Sequence, residues 1–387
     1  MIKITERLRK LPPYLFAEID RIKRSLREKG IDLIDLGIGD PDQPTPSHIV
    51  NSLCEAAKVP LNHRYALDQG LFEFRMAVSK WYKKRFGVEL DPDSEIYPLI
   101  GSKEGIAHLP LAFINPQDIA LVPDPCYPPY RSGTILADGV PYLLPLLPEN
   151  DFLPDFRKIK PSVLKKAKIF FLNYPNNPTA SICPPDFYKD LIKFARKNKI
   201  LICHDAAYSE ISFDGYRAPS FLEFPGAKEV GIEFHSLSKT YNMTGWRIGW
   251  VCGNREAVSA LGKVKTNIDS GIFQAIQIAG ITALEGDQTC IKHMNEIYRE
   301  RRDCLVEGLC EIGWKVKKPL ATFYIWAPLP KPHRSSLKFA KLLLEEANIV
   351  VTPGIGFGKA GEGFVRFSLT NRVERIKEAI ERIKRVL

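Results

Sequence analysis

Within 387 residues there is no apolar run of the roughly 18 residues that a membrane-crossing helix needs, so no membrane partner is expected. The opening segment, Met1 to Lys10, alternates charged and aliphatic residues where a secretory signal would place an apolar block, and a cytoplasmic protein is expected. Cysteine is scarce. Eight are scattered, none in a C-x-x-C pair, so neither a metal site nor a disulfide framework is indicated, and most are expected as small core residues. A dense basic tract is also missing. The 55 Lys and Arg exceed the 45 Asp and Glu, giving a net charge of +10. These bases lie mainly on polar helix faces such as 186–199 and 373–384, interleaved with acids in the latter, a pattern that argues against a nucleic-acid partner. The surplus still supplies a field that draws anionic cofactors and substrates. Internal repeats and low-complexity tracts are absent.

Hydrophobic residues make up 45% of the chain, enough at this length for one large domain and a smaller one. The spacing of Leu15, Ile19, Ile22 and Leu26 predicts a helix over 15–29, ended by Gly30 and followed by a strand-like run from Ile31 to Leu36. Glycines and prolines interrupt 37–46 throughout, leaving a constrained loop that either lines a site or merely connects. From Pro92 to about Leu284 short apolar runs alternate with amphipathic stretches, the pattern of an α/β domain with a largely parallel sheet. Strands are predicted at 96–100, 119–122, 168–173, 200–204, 231–236 and 248–252. Their carboxyl ends are expected on one edge, where an open α/β sheet gathers its ligands. The remainder reads as helix, short strands at 323–327 and 364–369, and a charged final helix, forming a smaller second domain.

The stretch from Ser236 to Trp250 carries the strongest chemical signal. It sets Lys239 among hydroxyl donors, with Arg247 eight residues on. A lysine amine condenses with an aldehyde only when unprotonated, and burial beside a cation favours that state. Arg247 lies in an otherwise apolar run and needs an anion. Gly245, Trp246 and Gly249 suggest tight packing. After the strand at 96–100, Gly101-Ser102-Lys103-Glu104-Gly105 opens a helix whose free N–H groups suit a phosphate, though a plain N-cap by Ser102 explains it equally well. Asp205 ends a buried strand and needs a cationic or N–H partner. The protonated nitrogen of a pyridine cofactor is one such partner, and a helix N-cap role for Asp205 is the alternative. His204 is expected to be a packing or supporting residue. Tyr174-Pro175-Asn176-Asn177-Pro178-Thr179 either aims an amide at a ring substituent or forms an ordinary Asx-Pro turn. Tyr127 in Asp124-Pro125-Cys126-Tyr127-Pro128 offers a stacking face or simply turns the chain. Arg366, embedded in a strand-like apolar run, suits a two-point grip on a carboxylate.

Taken together and in this order, these motifs resemble the class I/II aminotransferase family of fold-type I pyridoxal-phosphate enzymes over nearly the whole length. The resemblance implies an α/β fold, with a large, mostly parallel-sheet domain and a smaller α+β domain. Residues 1–45 would form an N-terminal arm and part of the small domain, 46–284 the large cofactor-binding domain, and 285–387 the C-terminal small domain. It further implies that Lys239 holds pyridoxal 5′-phosphate as a Schiff base and moves the proton in catalysis, and that Asp205 pairs with the ring nitrogen. Asn177 and Tyr208 would contact the ring oxygen, and Tyr127 would stack on the ring. Ser102, Lys103, Ser236, Ser238 and Arg247 would form the phosphate cup, and Arg366 would anchor the substrate α-carboxylate. A tyrosine matching Tyr65 reaches the neighbouring subunit's phosphate, so a homodimer is implied.

Within the family, 12–19, 36–42 and 124–128 are most similar to the LL-diaminopimelate aminotransferases. Tyr14 and Gly39 match substrate-pocket positions, as do Tyr127 and Asn177. Asp68 stands where that group commonly has a glutamate. Ala180 replaces the glycine that usually closes the Asn-Pro-Thr-Gly turn, and Gly271 falls where some members have asparagine. The implied reaction exchanges the amine of LL-2,6-diaminopimelate with 2-oxoglutarate in lysine biosynthesis. A broad aspartate, alanine or aromatic aminotransferase and a carbon–sulfur β-lyase use the same cofactor motifs. A transcriptional regulator would need a DNA-binding domain ahead of the first site loop, where only about forty residues stand.

Overall fold

The computed structural model describes residues 3–12 and 15–387. Its strands in chain order are β1 (Ile34–Asp35), β2 (Ile96–Leu99), β3 (Ile119–Asp124), β4 (Val140–Pro145), β5 (Ala167–Asn173), β6 (Leu201–Asp205), β7 (Gly231–Ser236) and β8 (Gly249–Gly253). They are followed by β9 (Tyr324–Pro328), β10 (Ile349–Val350), β11 (Thr352–Pro353) and β12 (Phe364–Ser368). Seven of them form one sheet in the order β2-β8-β7-β6-β5-β3-β4. Helices cover both faces, so the central strands are buried on each side and read as near-continuous apolar runs. Successive residues still point opposite ways. Phe170 packs with Leu191, Ile192 and Ala195 of the helix Pro185–Asn198. Phe171 packs with Ile106, Leu109 and Tyr130 on the other face.

Six predicted strands are present within a residue or two, but one runs the other way. β8 is antiparallel to both β7 and β2. The link 237–248 holds only the helical turn Leu237–Thr240 and a short 3-10 turn, Thr244–Trp246. A parallel return needs a crossover, usually a full helix, to carry the chain back to the opposite edge. This link stays at the edge where β7 ends. The start of β8, not its end, therefore faces the ligand edge, and Ser236, Gly249 and Leu99 lie side by side across three strands. β4 was not anticipated from the sequence. It is an edge strand, where Pro141 and Pro145 cost little in lost ladder bonds.

β11, β12 and β9 form a separate antiparallel sheet, and β1 pairs with β10. The predicted strand 31–36 shrinks to that two-residue pairing. Ile34 and Leu36 thereby join a hydrophobic cluster built mostly from residues beyond 290, including Tyr298, Phe323, Phe339 and Ile376. The predicted N-terminal helix spans Leu15–Glu28, although Ile22 is exposed and its neighbour Lys23 is buried against Asp35. All eight cysteines are free; Cys126, Cys183, Cys203 and Cys252 are buried. Among the described residues no helix is long and apolar enough to cross a membrane.

Candidate active site

A cavity of about 1050 Å³ opens at the carboxyl edge of β5, β6 and β7. Its walls include Ser102, Lys103, Tyr127, Asn177, Asp205 and Tyr208, and also Ser236, Ser238, Lys239, Arg247, Gly39 and Arg366. Residues distant in sequence meet here because the sheet order places their strand ends together. Two of the described sequence-predicted residues, Tyr65 and Asp68, are not brought to it. Tyr14 lies outside the described residues. Tyr65 is 91% exposed and Asp68 half-buried, and neither lines this chain's own cavity.

Lys239 sits on the turn that follows β7, and Ser236 caps that turn by accepting a hydrogen bond from Ser238 N at 3.1 Å. The Lys239 amine donates to the Gly39 carbonyl at 2.8 Å. Burial lowers its pKa to about 8; Asp40 opposes the shift, and Arg366 and Arg247 reinforce it. A nucleophilic amine thus exists near neutral pH.

Beside it, Arg247 has a left-handed backbone (φ 56) and gives hydrogen bonds to the carbonyls of Thr244 at 2.8 Å and Ile100 at 3.4 Å. Its guanidinium crosses Gly101, where a Cβ would come within 2.3 Å of Nη2 and push the guanidinium aside, and where φ 74 favours glycine. Gly101, with φ 74, is the N-cap of the helix Ser102–Phe113 and offers no side-chain cap. The alternative of a plain Ser102 cap is therefore not what forms, and the first N–H groups of the helix are left for an anion. Ser238 Oγ is buried without a partner and supplies a further donor. The expected tight packing is divided: a Cβ on Gly249 would lie 2.5 Å from the His235 carbonyl, whereas Gly245 is exposed with open space around it. Arg247 itself is exposed to the cavity.

Asp205 ends β6 and is 5% exposed. It begins no helix, so the N-cap alternative fails. Burial raises its pKa, while hydrogen bonds from Tyr130 OH at 2.7 Å and Ala207 N at 3.3 Å hold it back. Tyr130 was missed at the sequence level. Its only signal was its place three residues after Tyr127, and it is fixed by stacking on Phe171 at 5.1 Å. Tyr130→Phe is expected to push the Asp205 carboxyl further up, moving the acid limb of the pH–rate profile to higher pH. A loss of about tenfold in kcat/KM at neutral pH should accompany it, the worth of one hydrogen bond to a charged group. Kinetics across pH 5–8 would check it; an unshifted limb would dissociate Tyr130 from the site.

The Asn-Pro turn resolves its own ambiguity by using two asparagines. Asn176 makes the turn, accepting from Thr179 N at 3.0 Å. Asn177 faces the cavity, with Nδ2 toward Tyr208 OH at 3.4 Å and Oδ1 accepting from Arg366 Nη1 at 2.7 Å. The turn closes on Ala180 with φ 55, in the region that favours glycine. Arg366 on β12 also donates to the Gly37 carbonyl at 2.8 Å. Its guanidinium lies between the rings of Tyr324 and Phe357, at 4.1 and 4.7 Å, and its Nε is buried without a partner. A buried guanidinium bonded only to neutral oxygens is suited to an incoming carboxylate. Tyr324, unrecognised in the sequence, also hydrogen-bonds Tyr208 at 3.1 Å and comes so close to Gly39 that a Cβ there would lie 1.9 Å from its hydroxyl.

The family model for aminotransferases of class I and II matches residues 31–383. The chain belongs to this family. Among curated members, an LL-diaminopimelate aminotransferase of Syntrophobacter fumaroxidans is 57% identical, covering 98% of both chains. One of Moorella thermoacetica is 54% identical over 98% of this chain and 97% of its own. Among solved structures, substrate-bound BacF from Bacillus subtilis matches with a TM-score of 0.96 at 40% identity, covering 100% of this chain and 98% of that one.

In this aminotransferase the structure leaves no room for a side chain at Gly271. A Cβ on Gly271 would come 2.3 Å from the Leu67 carbonyl. The loop bearing Tyr65 and Asp68 rests directly on this glycine, leaving no room for an asparagine side chain. His204 is a supporting residue, as expected: its Nδ1 faces Glu233 Oε2 at 2.8 Å in the interior.

Proposed function

We propose that this aminotransferase uses pyridoxal 5′-phosphate to exchange the amino group of LL-2,6-diaminopimelate with 2-oxoglutarate, forming tetrahydrodipicolinate and glutamate in lysine biosynthesis. The observation that carries the cofactor is Lys239, an amine lowered to about 8 between an anion cradle and a buried carboxylate. The substrate rests on the full-length likeness to relatives of that name.

The residues fit the cofactor. Gly101 keeps the cradle under Arg247 open, Ser238 Oγ lacks a partner, and Asp205 is a buried carboxylate with hydrogen-bonding capacity to spare. When bound, the cofactor supplies an aldehyde carbon for amino exchange and a ring that withdraws electrons once its nitrogen is protonated. Asp205 would keep that nitrogen protonated, and Tyr130 would hold Asp205 in place. Arg247, Ser236, Ser238, Ser102 and Lys103 would bind the phosphate. Tyr208 and Asn177 would orient the ring, and Tyr127 would cover its face. Arg366 would take the substrate α-carboxylate. Because Asn177 touches both Arg366 and Tyr208, it ties the grip on substrate to the orientation of the ring. Lys239 Nζ would take the proton from substrate Cα as general base, worth about 10²- to 10⁴-fold.

A homodimer in the cytoplasm is part of the proposal. Tyr65 and Asp68 stand free of this chain's cavity on a loop with exposed Leu67, which supports a role for them in a second copy's site. The division into an arm at 1–45, a large domain at 46–284 and a small domain at 285–387 is supported by the separate hydrophobic clusters.

Single-turnover absorbance with a panel of amino acids tests the substrate. Conversion by LL-diaminopimelate is expected; none, alongside conversion by aspartate or phenylalanine, overturns it. The lysine sets a pH dependence. Its folded value, about 8, lies below the ordinary 10.5, so the folded chain disfavours the charged form. Aldehyde capture by the cofactor-free chain should rise with pH and level off above about 8. Conformational stability should also increase between about 8 and 10.5, where only the unfolded chain holds the extra proton. Stopped-flow absorbance and melting curves measure the two.

A further inference from the structure

Among the described residues six charged side chains line the cavity: Lys103, Arg131, Lys239, Arg247 and Arg366 are basic, and only Asp205 is acidic. Lys239, Arg247 and Arg366 give their hydrogen bonds to carbonyl or amide oxygens, not to carboxylates. The proposed chemistry employs four of the five bases. The phosphate uses Arg247 and Lys103, the α-carboxylate uses Arg366, and Lys239 is the reacting amine. Arg131 is left over. It is half-buried, and its Nε is buried with no hydrogen-bond partner. Asp124 feels its charge but forms no ion pair with it: this carboxylate accepts from the backbone N–H groups of Ala360 and Lys359, and its Oδ1 has no hydrogen-bond partner. A partly desolvated guanidinium without an ion-pair partner is a site for an anion, and its planar fork matches a carboxylate.

The position agrees. Arg131 lies on the helix Pro128–Leu136, four residues after Tyr127 and so on the same face, one turn further out. Ser132 and the 3-10 turn residues Ile355 and Gly356 line the same cavity. We propose that Arg131 reads the distal carboxylate of a dicarboxylic substrate, 2-oxoglutarate or glutamate, and so sets the preference for dicarboxylic over monocarboxylic amino acceptors. This rests on the transamination proposed above and adds the residue that selects the acceptor.

The test compares acceptors in single turnovers of the cofactor-loaded, amino-form enzyme. For Arg131→Leu the ratio of kcat/KM for 2-oxoglutarate to that for pyruvate should fall about ten- to hundredfold, the loss of one charge-assisted bond. Arg131→Lys should show a smaller fall, since it keeps the charge and loses the fork. An unchanged ratio in both variants overturns the proposal and leaves Arg131 as a counter-charge for Asp124. A second readout does not need turnover: glutarate should raise the melting temperature of the wild type more than that of Arg131→Leu, in which Arg366 still holds one carboxylate. Equal protection of both also overturns it. Should Arg131→Leu not fold, Arg131→Lys and Arg131→Gln carry the same comparisons. The two proposals fail separately: a wild type that ignores LL-diaminopimelate but accepts glutamate loses the donor assignment and keeps the role of Arg131.

Discussion

Replacing Lys239 with alanine is expected to lower turnover by at least about 10³-fold while the protein remains folded. The loss combines the covalent anchor with the general base, each of which a lysine at this point alone provides. The fold should tolerate the change. The amine makes one hydrogen bond, to the Gly39 carbonyl, whereas the turn is held by the Ser236 cap and by buried Leu237 and Thr240. Removing a side chain whose charged form is disfavoured where it sits should leave the melting temperature of the cofactor-free chain equal or higher below about pH 8. Borohydride treatment with pyridoxal 5′-phosphate should label Lys239 in the wild type and nothing at this position in the variant. Steady-state turnover at the wild-type rate would sink the assignment of both base and anchor.

Arg366→Leu should lower kcat/KM for every amino and oxo acid by about 10²- to 10⁴-fold, the cost of losing a two-point grip on a carboxylate in a dry pocket. The effect on stability has the opposite origin. Arg366 is 3% exposed, bonds only to neutral oxygens, and burial lowers its pKa. A buried guanidinium with no counter-ion is a liability until an anion arrives. Leucine removes that liability but leaves Asn177 Oδ1 without this donor, at roughly 1–3 kcal/mol, whereas the Gly37 carbonyl keeps the hydrogen bond from Thr352 Oγ1 at 2.9 Å. The two terms offset, so the cofactor-free variant should melt close to the wild type. The added stabilisation that substrate carboxylates give the wild type should disappear. Melting curves with and without a carboxylate ligand separate these effects; a variant that unfolds outright would make Arg366 structural, and one with unchanged kcat/KM would remove it from the substrate site.

The sequence readings that held are those carried by short spacings. Lys239 lies between Ser238 and Thr240 on a turn because Ser236 is where β7 ends, and Asp205 closes β6 because an apolar run stops there. Gly101 precedes the helix at 102 because only glycine takes φ 74 at that bend. Misses arose where a residue's role depends on a distant partner. Tyr130 differs from Tyr127 only in facing Asp205, 75 residues away. The direction of β8 followed from how little chain connects it to β7, which the apolar pattern of 248–252 does not report, because a strand looks the same read in either direction.

Local sequence therefore determined which elements form and which side chains stand at their ends: the lysine turn, the glycine bend, the buried carboxylate and the arginine strand. These are short-range consequences of burial periodicity and backbone sterics. Tertiary structure alone decided what those ends face. Sheet order aligned Leu99, Gly249 and Ser236, the second sheet carried Arg366 to Asn177 across 189 residues, and the packing of Leu67 on Gly271 set the loop that bears Tyr65 and Asp68. Such contacts depend on how strands are ordered and oriented in space, a choice made by the summed packing of the whole core and written in no single stretch of residues.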